Sequence, residues 1–331
     1  MATRMTSPFA GFGWIKNAIN LGRHNPKAVF GGAALLVVVS LLPSLVTLPI
    51  QYGMPGNMKA FAAAMAFSMA AGLLLAPVMG GYLQVIDAVE GQRPVRARDV
   101  FAPYRAGGGA LRIIVFAALL MLVTMAMFGA VVYVVAPGVG EWYLQTVANG
   151  VAAPQNVPAL PDNFGRAMAA FTLLWVLFLG VFAIGYGQVA IARRSPVAAL
   201  GDAFAGSFKN VLALVVLLVS VIVLALVLGL AMMLVAFLLG LLAMVGGAWL
   251  VIALMVPVYA VLFLVMYTVL FGLAYFLWRD VCGGVAMATP AMAAFTVLWV
   301  LFLAVAPSPR SGMRSRARSR TCWRWSCCWC R

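Results

Sequence analysis

The chain has 331 residues, of which 65% are hydrophobic and only 9% charged, against roughly 25% charged in an ordinary soluble domain. Such a chain cannot cover an apolar core with polar surface, which excludes a soluble globule and makes lipid its solvent. Basic residues outnumber acidic ones, 22 Lys and Arg to 7 Asp and Glu; seven of the Arg lie in the last 22 residues and the others flank apolar runs, so the excess points to the anionic face of a membrane and not to nucleic acid.

In chain order, SPFAGFGWIKNAINLGRHNP (residues 7–26) predicts a short interfacial amphipathic helix. Phe12, Ile15 and Ile19 form its apolar face, while Lys16, Asn17, Asn20 and Arg23 lie away from it. No short apolar stretch with a small-residue cleavage site precedes the first apolar run, so no cleaved targeting peptide is expected. A membrane helix needs about 20 apolar residues, and residues 28–50 and 60–86 meet that requirement as a first hairpin. Residues 111–136 and 167–192 form a second, joined by a Pro-rich segment holding Glu141, Trp142, Asp162 and Arg166.

From Val211 to Trp278 there are 68 residues without Asp, Glu, Lys, Arg or His, enough for two long spans or, on length alone, three. Charge favours two, residues 211–238 and 248–278 with a turn at MVGGAW (244–249). With two spans, Arg4, Lys16, Arg23 and Lys27, then Arg93, Arg96, Arg98, Arg105 and Arg112, then Arg193, Arg194 and Lys209, and finally Arg279 all fall on one side, leaving only Lys59 and Arg166 on the other. The positive-inside rule then makes the N-terminus cytoplasmic. Pro257 is expected to kink the sixth span without ending it.

Residues 81–104, GYLQVIDAVEGQRPVRARDVFAPY, and 185–208, GYGQVAIARRSPVAALGDAFAGSF, share Gly-Tyr, Gln-Val, a basic cluster, a Pro and Asp-x-Phe-Ala in the same order, the signature of a diverged internal repeat. Within 197–210, Leu200, Phe204 and Phe208 recur at helical spacing with Asp202 and Lys209 elsewhere on the wheel, which reads as a second interfacial helix. The copy at 81–104 is weaker as a helix, because AGGGA (106–110) interrupts it. The expected fold is therefore all-α: a polytopic transmembrane helical bundle of about six spans in three hairpins, each preceded by a short interfacial amphipathic helix, within a single domain over residues 1–284.

On GWIKNAINLGRHNP (13–26), APVMGGYLQVIDAVEGQRPVRARDVFAPY (76–104) and SPVAALGDAFAGSFKN (195–210), the chain resembles a group of function-unassigned bacterial six-span membrane proteins. These are akin to the membrane domains attached to some glycerophosphodiester phosphodiesterases. The resemblance covers about residues 9–281 and implies a bacterial inner-membrane home. It transfers no catalytic residues.

Apart from Arg112 at the start of residues 111–136, the proposed spans hold no Asp, Glu, Lys, Arg or His, which argues against a proton relay or an intramembrane metalloprotease. Gln84 and Gln188 are the candidate polar intramembrane site, each near the same end of an outgoing span. They could bind a headgroup or small solute, or serve as interhelical hydrogen bonds. Arg93, Arg96, Arg98, Arg193 and Arg194 are the candidate contacts to anionic lipid. Ala225 with Gly229, Ala236 with Gly240 and Ala243 with Gly247 are spaced for close helix approach, read here as internal packing before a homodimer seam. His24 has no acidic or Cys companion, Ser195 has no activating base, and no catalytic, cofactor or metal residues are assigned.

Residues 291–306, between Pro290 and Pro307, are short for a span and are expected to be interfacial or poorly structured. The Arg-, Ser-, Trp- and Cys-rich remainder of 285–331 has the composition of GC-rich codons read out of frame. The expected function is that of an integral inner-membrane protein, not an enzyme, acting through membrane lipids and a protein partner or second copy, with no nucleic acid. A permease for a neutral or amphipathic solute and a membrane anchor for a separately encoded enzyme are the alternatives.

Overall fold

The structure, a computed structural model, describes residues 3–54, 57–150 and 159–283, and among these it is all-helical with no strand. Residues 284–331, with the 291–306 segment and the basic tail, lie outside the described residues. Helix α1 spans Ala10–Ile19, α2 Pro26–Gly53 and α3 Met58–Glu90; a 3-10 helix covers Ala97–Tyr104; then follow α4 Ala110–Val134, α5 Val139–Gly150, α6 Phe164–Ala190, α7 Pro196–Lys209 and α8 Val211–Cys282. Six stretches among the described residues are long and apolar enough to cross a membrane, two of them, Val211–Leu241 and Ala253–Cys282, within α8.

The helix ends follow from local chemistry. Asn25 caps α2 by accepting from the Ala28 N–H at 3.1 Å, with Pro26 as the first helical residue, where its missing N–H costs nothing. Asn57 caps α3 by accepting from Lys59 and Ala60. The glycine run breaks the chain between the 3-10 helix and α4, with Gly107 and Gly109 at φ +75° and +87°. In place of an interfacial α-helix, residues 97–104 form the tighter 3-10 turn.

Helix α8 decides the topology. Its 72 residues would part their ends by about 108 Å if the helix were a straight rod. Yet the Arg4 N–H donates to Val281 O at 3.1 Å, and Arg4 O accepts from Asn210 Nδ2 at 3.2 Å. The residues flanking α8's two ends thus meet on one residue, so the segment doubles back. Residues 244–249, where the sequence predicts a turn, are helical. Helix α1 lies across both arms: a Cβ on Gly11 would sit 3.1 Å from the Leu217 backbone, and one on Gly272 3.1 Å from Ala18.

Helix α1 packs on α8, the 3-10 helix on α3 and α2, and α7 on α6. The core is concentrated at this end of the bundle, around Trp14, Tyr82, Phe116, Ile184 and Val281. Leu41, Leu45, Leu226 and Leu230 are exposed along the spans, as hydrocarbon permits and water does not.

Four expectations need correction. Helix α1 buries Gly11, Trp14 and Ala18 against α8, while Phe12 and Ile19 stay more than half exposed, because close approach to α8 selects small residues and Trp14 finds a polar partner. Helix α7 is sunk into the bundle, with Leu200, Phe204 and Asp202 all buried. Ala225, Gly229, Ala236 and Gly240 are exposed and a Cβ on either glycine would meet nothing within 4 Å, so these pairs do not serve internal packing; the side chains of Ala243 and Gly247 lie outside the described residues. The Pro-rich connection carries an additional helix, α5, whose Val139 packs with Ala136 and Ala167 and whose Trp142 meets the Phe164 edge at 5.4 Å.

Candidate functional site

The two glutamines, at matching places in the sequence, have different fates. Gln84 Nε2 donates to Ala190 O at 2.7 Å, so it pairs one of the last carbonyls of α6, which have no partner within the helix, and ties α3 to α6. Gln188 is 0% exposed, and neither its Oε1 nor its Nε2 has a hydrogen-bond partner among the described residues. No hydrogen bond joins the two among the described residues.

Gln188 belongs instead to a buried polar nest where α6, α7 and the end of α8 converge. It lies beside Cys282, and its backbone carbonyl accepts from the Arg194 N–H at 2.9 Å. Arg194 Nη2 pairs with Asp202 Oδ2 at 3.0 Å, with the Asp202 side chain 2% exposed. Burial raises the Asp202 carboxyl above its ordinary range, and Arg194 offsets this only in part. Trp278 Nε1 and Ser207 Oγ are also buried without partners among the described residues. Each unpaired group costs about 1–3 kcal/mol.

The Gly-Tyr motifs are packing devices. A Cβ on Gly81 would run into Val100 O and one on Gly185 into the Phe116 ring, so the 3-10 helix and α4 reach the backbones of α3 and α6. Tyr82 Oη donates to Val29 O at 3.2 Å. The neutral hydroxyls inside the spans are spent locally: Thr124, Thr172, Ser220 and Thr268 each donate to the carbonyl four residues earlier.

The basic groups gather at the same end. Arg93 pairs with Asp87, Arg105 with Asp99 at 3.5 Å and Arg279 with Glu90 at 3.6 Å. Of the five arginines singled out in the sequence, Arg93 and Arg194 are therefore engaged with acids of the fold, whereas Arg96, Arg98 and Arg193 are exposed with no ion pair among the described residues.

Sequence reasoning missed the residues that stitch this end together. Asn210 Oδ1 accepts from the Thr6 N–H and Oγ1 at 2.8 and 2.9 Å, while its Nδ2 donates to Arg4 O and Gly206 O. Tyr275 Oη donates to Asp87 Oδ1 at 3.1 Å. The available signal was a handful of acids, Asp87, Glu90 and Asp280, standing where aromatic spans end.

Helices, packing and exposed apolar surface together define an all-α polytopic membrane bundle. No family model matches the chain, and comparison with curated proteins and with solved structures finds no match either.

Proposed function

We propose that this chain is an integral protein of the bacterial inner membrane, non-enzymatic, with its N-terminus and basic end in the cytoplasm, and that its basic end binds anionic lipid headgroups. One observation carries the reading: the described acids of that end are largely spent inside the fold, four in ion pairs and Asp280 on Trp14, while Arg96, Arg98 and Arg193 project free. A basic residue near an anionic leaflet contributes about 1 kcal/mol. Membership of a six-span group akin to phosphodiesterase-attached membrane domains, and a threefold repeat of short helix plus hairpin, are part of the same reading and rest on the loop motifs and on the seating of α1, the 3-10 helix and α7.

The test is thermal unfolding in nanodiscs of phosphatidylglycerol against phosphatidylcholine. The wild type is expected to be stabilised by the anionic lipid, and the triple variant Arg96→Glu, Arg98→Glu, Arg193→Glu to lose that difference. An equal difference in both proteins contradicts the reading.

A further inference from the structure

The spans enclose a cavity of about 510 Å³ between α3, α4, α6 and both arms of α8. Its walls include Phe178, Ala183, Leu217 and Ala274, each less than a tenth exposed. Its rim includes Trp175, Leu179 and Leu270, each more than 40% exposed on the lipid-facing surface. Among the described lining residues only Thr124, Tyr267 and the rim Trp175 indole carry a polar N–H or O–H group, and the Thr124 hydroxyl is committed to Leu120 O at 2.7 Å.

The chemistry narrows the occupant. Ordered water needs two to four polar partners, which this lining does not supply. No charged residue lines it among the described residues, so the lining offers no charge to a headgroup. The medium at the rim is bilayer hydrocarbon, and Trp175 and Leu270 stand many residues from the basic ends of their helices, near mid-span.

We infer that the cavity takes one acyl chain of a membrane lipid, entering sideways at Trp175, Leu179 and Leu270, with no preference for headgroup. The inference rests on the reading of the chain as a membrane bundle but not on its basic face. The two are separable because acyl insertion is indifferent to headgroup charge.

The experiment uses proteoliposomes of phosphatidylcholine, and in parallel phosphatidylglycerol, carrying a fraction of the same lipid with a mid-chain diazirine. After irradiation, labelled residues are mapped by mass spectrometry. Wall residues Phe178, Leu217 and Ala274 are expected to be labelled equally in both lipids. Filling the space by Ala183→Phe is expected to lower that labelling at least fivefold, while labelling of the exposed Leu173 and Leu226 is unchanged. Labelling confined to outward residues in the wild type, which needs no variant to fold, overturns the inference. So does wall labelling only by a free hydrophobic diazirine and not by the lipid, or wall labelling that the filling variant leaves unchanged. A phosphatidylglycerol effect that survives substitution of Arg96, Arg98 and Arg193, with wall labelling intact, would remove the headgroup reading alone.

Discussion

Trp14 donates its indole N–H to Asp280 Oδ2 at 2.7 Å, joining the first helix of the chain to the last residues of α8. Trp14 is 0% exposed while Asp280 is exposed, so Trp14→Phe loses the hydrogen bond but leaves the carboxylate to water, and is expected to cost about 1 kcal/mol. Asp280→Asn keeps an acceptor and is expected to cost less. Denaturant unfolding in nanodiscs distinguishes them, and equal effects would mean that the contact is packing alone.

The glutamines should part company when replaced. Gln84→Leu strands the Ala190 carbonyl and is expected to destabilise by about 1 kcal/mol or more. Gln188→Leu removes two buried groups that have no partner among the described residues, so it is expected to be neutral or stabilising. A larger loss from Gln188→Leu than from Gln84→Leu would show that Gln188 has a partner the fold does not itself supply.

Glycine substitutions separate close packing from open lipid surface. Gly81→Ala drives a methyl into Val100 O and is expected to cost about 1–3 kcal/mol by displacing the 3-10 helix. Gly229→Ala meets nothing within 4 Å and is expected to be neutral or slightly stabilising through helix propensity. The same unfolding measurement checks both.

Asp202 makes stability fall with pH. Burial raises its folded carboxyl pKa above the unfolded value, more than Arg194 lowers it, so the folded state holds the proton longer. Its contribution is fully present below the unfolded pKa and is lost as pH rises through the folded one. Asp202→Asn is expected to flatten that part of the stability profile, and an unchanged slope would assign it to other carboxyls.

How much of this was legible in the sequence depends on what signal each element leaves. The spans were readable from apolar length, and charge favoured two spans in the 211–278 block, because placing Arg279 with the other basic groups required an even number of crossings. The buried face of α1 was not, since an exposed Phe12 facing lipid and a buried one look alike, whereas Gly11 and Ala18 signal close approach only once α8 is known to lie there. Helix α5 was hidden between Pro137 and the later prolines, its apolar contacts few and local. Gln84 and Gln188 sit in one motif, and only the position of Ala190 and of Cys282 in space tells them apart. Asp202 reads as a surface acid until Arg194, across the turn into α7, is seen to cover it.

The most direct test of the three-hairpin architecture is a topology map with reporters inserted after Arg194, at Gly246 and after Gly283. The positions after Arg194 and Gly283 are expected on one side, the cytoplasmic one, with Gly246 on the other. Finding the positions after Arg194 and Gly283 on opposite faces of the membrane would mean that α8 crosses an odd number of times, and would contradict the fold described for its ends.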